Sequence, residues 1–394
     1  MRTRSLAAAC LLAVTLPSVA AEDRLTLLDG ALLAGRVAGI DKAGNVTLSG
    51  RAKAVPLNGL RALQTGRPVK AAGDRIGIRL VGDGLIRATS VLINDEKLHV
   101  VWGAKNAKLQ LPVEAGRAIL FAGKPDPLFA KVRGTPSEDV DQLLVTIRGK
   151  LRIVRGLIES MNDRSAAITI DNRQVTIPRK DLHGIVFAYV KRPLKEVGLA
   201  RVHLTDGSVL PGRIVRVERP TGPLKLRLLD GGELSVGWPN VSRIEFKSKR
   251  LQYVSDLKPA DVAEQAIVAL QRRWRKDRCV TGKPLRLGGR TYEKGLGVHS
   301  RSRLTFAADG KYETFTATIG LDDASGRKGD CLFVVTADGR ELLRKRMKGR
   351  DQPVVVKVNI RGMKRVSLVV EPGRNLDIAD HANWCDACFL RPAK

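Results

Sequence analysis

Between residues 22 and 250 apolar and polar positions alternate in short runs broken by Gly, Asp, Asn and Pro, the pattern of strands joined by tight turns. Four segments repeat one order: an apolar strand, a turn, a second strand, a polar gap, two short strands, then a proline and a closing apolar strand. They begin LTLLDGALLAGRVAGI, IGIRLVGDGLIRATSVLI, LLVTIRGKLRIVRGLIES and VHLTDGSVLPGRIVRVE, and end AVPLNGLRAL, LQLPVEAGRAILF, VTIPRKDLHGIVF and LSVGWPNVSRIEF. Seven residues beyond Pro56, Pro112 and Pro178 stand Leu63, Ile119 and Ile185. In the fourth segment Gly237 takes the proline position and leads to Ile244. An offset shared by four copies predicts one structural unit used repeatedly.

Each copy has the length and strand number of a small, strongly bent barrel. Asp29-Gly30 and Asp206-Gly207 are expected to be two-residue hairpin turns, in which both central residues need positive φ. The copies resemble SH3-like or Sm-like barrels in this pattern. Their expected bounds are 22–66, 74–122, 142–190 and 199–248, with a linker at 123–141 that contains three prolines, and a second connector at Lys191 to Gly198. Barrels of this size can bind single strands through aromatic platforms. Here Trp102, Phe121, Phe187, Trp238 and Phe246 lie at strand positions among apolar neighbours, which assigns them to core packing and argues against nucleic acid. The copies hold no clustered His, Cys or acidic set, so they are expected to be spacers or protein-interaction units.

Beyond residue 250 the pattern changes. Phe315 to Ile319, Leu332 to Val335, Val354 to Ile360 and Val366 to Val370 are strands of the length found in a two-sheet sandwich, and Asp338-Gly339 is a turn between two of them. A linker helix is expected around Pro259 to Leu270. The run RRWRKDRCVTGKPLRLGGRTYEKGLGVHSRSRLTF, then FTATIGLDD, CLFVVTADGRELL, VVVKVNIRGMKRVSLVVE and LDIADHANWCDACFL, resembles the NPCBM family of carbohydrate-binding modules over 254–392. Gly295 to Ser300, Ile319 to Asp323 and Asp380 to Trp384 carry the resemblance. It implies a galactose-binding-like β-sandwich of jelly-roll form, so the whole chain is expected to be all-β.

Export is expected from Met1 to Ala21: Arg2 and Arg4, an apolar run from Leu6 to Leu16, then Pro17 and small residues. That run is about half the roughly 20 residues a membrane span needs, which predicts a cleaved signal peptide and a periplasmic, cell-surface or extracellular protein. Losing these residues takes the formal charge only from +29 to +27, because the segment has two arginines and no acid. Such an excess favours polyanionic surroundings, acidic polysaccharide among them, or is simply a solvated basic surface. Of the five cysteines, Cys10 falls in the signal. Cys279, Cys331, Cys385 and Cys388 are disulfide candidates in an oxidising compartment. Three-residue spacing on one strand would put Cys385 and Cys388 on opposite faces, each with a different partner.

Sugar recognition needs flat faces for ring C–H groups and fixed polar groups for hydroxyls. Trp274, Tyr292, His299, Asp380, His381, Asn383 and Trp384 are the candidate carbohydrate-binding residues. A buried sandwich position is the alternative for Trp384, and hydrogen bonding within the sheet for His299. Asp322 and Asp323, followed by Gly326 and Gly329, are the candidate metal ligands for a hard cation such as calcium, or a solvated turn. With no catalytic residues assigned, the expected function is a secreted carbohydrate-binding protein and not an enzyme. The alternatives are an envelope scaffold without sugar binding, or an accessory part of a glycoside hydrolase system.

Overall fold

The computed structural model describes residues 22–393 except 42–43, 52, 71–72, 74, 104–106, 122–125, 191–198, 218–221, 230–231, 266, 269–271 and 327. Residues 1–21, where an export signal is expected, and the expected connector Lys191 to Gly198 fall outside the described residues. Among the described residues the regular structure is all-β except for one α-helix and several one-turn 3-10 helices, and there are two large cores, one before residue 250 and one after it.

Residues 24–246 repeat one pairing scheme. Asp141–Ile147 pairs with Lys150–Met161, that strand with Ser165–Ile170, and that with Arg173–Pro178, while the closing strand Leu182–Val186 returns to Asp141–Ile147. The same order runs through Ala200–Leu204, Val209–Val217, Pro223–Leu228, Glu233–Gly237 and Val241–Phe246. It recurs in Ile76–Leu80, Gly84–Asn94, Lys97–Trp102, Ala107–Pro112 and Gly116–Leu120. In the first unit the second strand is split into Leu32–Ala34 and Val37–Ile40. Each closing strand follows a one-turn 3-10 helix, introduced by Pro56, Pro112, Pro178 or Gly237. Proline lacks the N–H a continuing strand would donate, so the ladder ends there.

The long second strands must bend for each unit to close. At Gly156 a Cβ would lie 2.5 Å from the Thr169 carbonyl oxygen, and at Gly212 one would lie 2.4 Å from that of Arg227. The units then join through their closing strands. Leu63 faces Ile244, and Ile119 faces Ile185, all four fully buried. Bridges from Leu85 to Val209, Ile93 to Met161 and Ile40 to Val217 complete a single sheet with one continuous core. Trp102, Phe121, Phe187 and Trp238 are buried in that core and Phe246 packs against it.

Three expectations about this region need correction or detail. Asp29-Gly30 and Asp206-Gly207 are three-residue hairpins: only the glycines have positive φ, 86° and 84°. The Leu27 and Leu204 N–H groups reach past them to the Ala31 and Ser208 carbonyls. The two-residue form occurs at Asp338-Gly339, with φ of 45° and 80°. The segment expected as a linker holds the helix Pro127–Gly134, capped by the Asp126 carboxylate, which accepts from Leu128 N at 2.7 Å. It buries Phe129 and Val132 against Ala118, Leu144 and Val186.

After residue 250 two sheets face each other. One runs Arg275–Lys276, Gly295–His299, His381–Leu390, Thr314–Leu321 and Val354–Asn359, with Leu251–Tyr253 also paired to His381–Leu390. The other runs Asp261–Glu264, Ser302–Ala307, Arg365–Pro372, Asp330–Ala337 and Arg340–Lys348. Phe306, Phe315, Phe333, Trp384 and Phe389 fill the space between them. The expected linker helix is instead, at Asp261–Glu264, an edge strand, because its backbone finds a ladder on Ser302–Ala307.

Cys385 and Cys388 do not lie on opposite faces. A bulge with Asp386 at φ 53° sets two residues opposite Ala317, so Trp384, Ala387 and Phe389 all enter the core and both cysteines face outward. The four thiols are free and buried, so the expected disulfides are not formed. Cys331 lies between the sheets, Cys388 packs with Leu28 and Leu390, and Cys279 shares a small cluster with Cys385. Burial pushes the Cys388 thiol up to about 11 and raises Cys331 and Cys385 well above the usual thiol range.

Candidate functional site

One end of the sandwich gathers polar groups. His299 ends one strand and His381 begins its neighbour; they are register partners with ring centroids 5.8 Å apart. Burial lowers both histidine pKa values, and for His381 the neighbouring His299 and Arg272 lower it further. Both rings are therefore neutral near pH 7, and each offers one donor and one acceptor nitrogen. Behind them Asp380 is fully buried, and its Oδ1 accepts from Asp330 N at 2.8 Å. Burial raises its pKa to about 6, opposed by that N–H and by the adjacent Ser300 hydroxyl. Among the described residues, Asp380 Oδ2, Ser300 Oγ, Ser302 Oγ and His381 Nδ1 are buried and make no well-aligned hydrogen bond. Buried polar atoms without a protein partner are the places that a water or a ligand completes.

Two loops frame this floor. The Asp377 carboxylate accepts from Ile267 N at 2.7 Å and Val268 N at 3.0 Å, tying them together. Four aliphatic side chains on these loops stay in solvent: Ile267, Val268, Leu376 and Ile378 are 41, 65, 50 and 48 % exposed. Leu376 and Ala379 hold φ near +60°, a left-handed conformation that costs a residue with a Cβ about 1 kcal/mol or more. An apolar rim above fixed polar groups is the general form of a small-ligand site.

Of the residues expected at the site, His299, Asp380 and His381 come together. Trp384 is a core tryptophan, with Phe315 and Phe333 centroids 6.0 and 4.9 Å away in edge contact. Asn383 is buried on the outer face and its Nδ2 donates to Asp322 Oδ2 at 2.7 Å. Trp274 packs against the core, with its backbone N–H on Glu264. Tyr292 covers the outer face beside Cys279 and Cys385. The two metal candidates each hold backbone N–H groups: Asp322 also accepts from Arg286 N and Ala324 N, and Asp323 from Gly288 N and Gly289 N. Among the described residues no group of three or more His, Cys, Asp or Glu is placed to hold a metal ion. Ser300, Arg272 and Asp377 were missed. Aliphatic Leu376 and Ile378 flanking an acid in a Pro/Gly/Asn loop were the available signal.

Residues 250–390 match the NPCBM/NEW2 domain family. This part of the chain is an NPCBM/NEW2 domain. A Renibacterium salmoninarum protein named "Putative endo-alpha-N-acetylgalactosaminidase" is 40 % identical over 111 residues, which is 28 % of this chain and 7 % of that protein. The chain thus spans a small fraction of that relative's length. Among solved structures, the CBM51 module of a Clostridium perfringens GH95 protein, in complex with methyl-galactose, is 25 % identical. It matches 35 % of this chain and 99 % of the module with a TM-score of 0.33. The tandem CBM51 modules of a Streptococcus pneumoniae family 98 glycoside hydrolase are 16 % identical over 80 % of this chain and 88 % of theirs, with a TM-score of 0.32. The NPCBM domain is a β-sandwich of two facing sheets with one core between them.

The NPCBM domain is docked on the first repeat unit. Arg61, on the closing strand Leu60–Gln64, is 6 % exposed and reaches into the domain. Its Nε donates to the Tyr253 hydroxyl at 3.1 Å, and its Nη2 donates to the Asp386 carbonyl at 2.8 Å. The same nitrogen lies 3.1 Å from the Asp386 carboxylate. Burial disfavours the charge on Arg61, but Asp386 and Tyr253 outweigh it and its pKa is raised. At the adjacent turn Asp29 accepts from Lys357 at 3.0 Å, and its carbonyl accepts from the Thr316 hydroxyl.

Proposed function

We propose that this chain is an exported, non-catalytic carbohydrate-binding protein that grips a glycan at the histidine end of its NPCBM domain, with the repeat units as spacer or protein-docking body. The observation that carries this reading is the pairing of a neutral His299/His381 floor, and of buried polar atoms without a well-aligned partner among the described residues, with an aliphatic rim. Neutral imidazoles and hydroxyls suit sugar hydroxyls, which donate and accept, and exposed aliphatics suit ring C–H faces. The acids of this end act as supports, since Asp377 and Asp380 both hold backbone N–H groups. Glycosidase chemistry would instead need two carboxylates set across a glycosidic bond. The formal charge of +29 favours acidic polysaccharide. A second reading, an accessory chain of a glycoside hydrolase system, is favoured by the name of the Renibacterium salmoninarum relative. Binding of the full chain to neutral and acidic polysaccharides at several salt concentrations tests the first reading, and release of reducing sugar tests for turnover.

A further inference from the structure

The seam between the first repeat unit and the NPCBM domain encloses a pocket of about 120 Å³, several times what one water needs. It is remote in the fold from the histidine end: its floor lies on the outer face of the sheet, where Arg61, Asp386, Arg290, Tyr292 and Thr318 converge. Leu32 from the repeat unit and Val355 from the NPCBM domain form its lips, 54 and 46 % exposed.

The charges at this seam do not cancel. Arg61 is paired with Asp386, and Lys357 with Asp29. Arg290 is left over: its guanidinium carbon lies 4.7 Å from the centre of the Tyr292 ring, and its Nε–H is buried with no acceptor among the described residues. Tyr292 is itself buried among Cys279, Leu285, Leu287 and Cys385, which fixes the surface on which Arg290 lies. The pocket thus carries one uncompensated positive charge and one unfilled donor, under two aliphatic lips.

We infer that this seam pocket binds the carboxylate end of an acidic sugar, a hexuronate unit, with Arg290 donating to the carboxylate and Leu32 and Val355 flanking the ring. Guanidinium is suited to carboxylate because its fixed N–H groups match the two oxygens. The inference rests on the proposed carbohydrate binding and adds a second, charge-selective site built jointly by both bodies. It also gives the docking of the NPCBM domain a role, since neither body alone supplies both lips.

Calorimetric titration of the full chain with D-glucuronate, D-glucose and acetate at low salt tests it. The expected result is saturable binding of glucuronate, none of glucose, and acetate weaker by tenfold or more. Arg290→Gln is expected to weaken glucuronate at least tenfold with an unchanged melting temperature, and Leu32→Glu, on the other body, to weaken it as well. Glucuronate binding unaffected by Arg290→Gln overturns the site, and acetate binding equal to glucuronate reduces it to an anion hole without sugar recognition. Failure to bind glucuronate while a neutral glycan still binds through His299 and His381 overturns the seam pocket alone and leaves the proposed function standing.

Discussion

Arg61 and Asp386 meet 3.1 Å apart across the seam between the first repeat unit and the NPCBM domain, and both belong to distortions or closures of their own strands. Arg61 lies on a closing strand, and Asp386 is the left-handed residue of the bulge that turns Cys385 and Cys388 outward. Removing one partner of a buried pair strands the other's charge, at about 3–5 kcal/mol. Arg61→Ala is expected to lower the unfolding free energy by about 3 kcal/mol. Asp386→Asn, which tolerates positive φ, is expected to cost less when Arg61 is already gone. Equal costs in both backgrounds, measured by denaturant unfolding, would show that the two residues are not coupled.

Asp322 is buried and accepts from Arg286 N, Ala324 N and Asn383 Nδ2, so its loss orphans three donors. At about 1–3 kcal/mol per unsatisfied group, Asp322→Ala is expected to destabilise the domain by several kcal/mol, with Asp323→Ala costing less at its more exposed turn. If the pair serves only as an anchor, these losses are the same with calcium and with a chelator. A calcium-dependent rise in melting temperature that the double variant abolishes would return the pair to a cation site.

Burial raises Asp380 from an ordinary 3.8 to about 6. Between those values the folded chain holds the extra proton, so this group's contribution is full below about pH 4 and lost as the pH passes about 6. At about 1.4 kcal/mol per pH unit the loss is of order 3 kcal/mol. Asp380→Asn keeps an oxygen for Asp330 N–H and removes the titration. Its stability relative to the wild type is expected to improve from pH 4 to pH 7, and a difference that stays flat with pH would show that Asp380 is not held in this way.

Gly212 sits where its strand bends, with the Arg227 carbonyl 2.4 Å from any added Cβ. Gly212→Ala forces backbone apart in a closed unit and is expected to cost about 1–3 kcal/mol. Gly50, which has nothing within 4 Å, is the comparison site for crowding, though its φ of 77° still strains an alanine. A smaller loss at Gly212 than at Gly50 would contradict the bend argument.

Much of the fold was legible because it depends on periodicity. The offset from Pro56, Pro112, Pro178 and Gly237 marked Leu63, Ile119, Ile185 and Ile244, which meet in pairs between units. The helix at Pro127–Gly134 was hidden because eight residues among prolines carry little periodic signal, and its anchor, Phe129, is read only against Ala118 and Val186. The cysteine faces were misjudged because a one-residue bulge inverts every side chain beyond it. His299, Asp380 and His381, polar residues of the segments that carry the family resemblance, come together at one end of the sandwich. Trp384 and Asn383, in the same segment, serve the core and a buried carboxylate, a distinction that strand register decides.

The most direct test is binding of the full chain to a panel of immobilised neutral and acidic polysaccharides, with the His299→Ala/His381→Ala variant alongside. The account predicts saturable binding to at least one polysaccharide, weakened tenfold or more in the variant while its melting temperature holds. No saturable binding to any polysaccharide, or binding that the variant leaves unchanged, would contradict it.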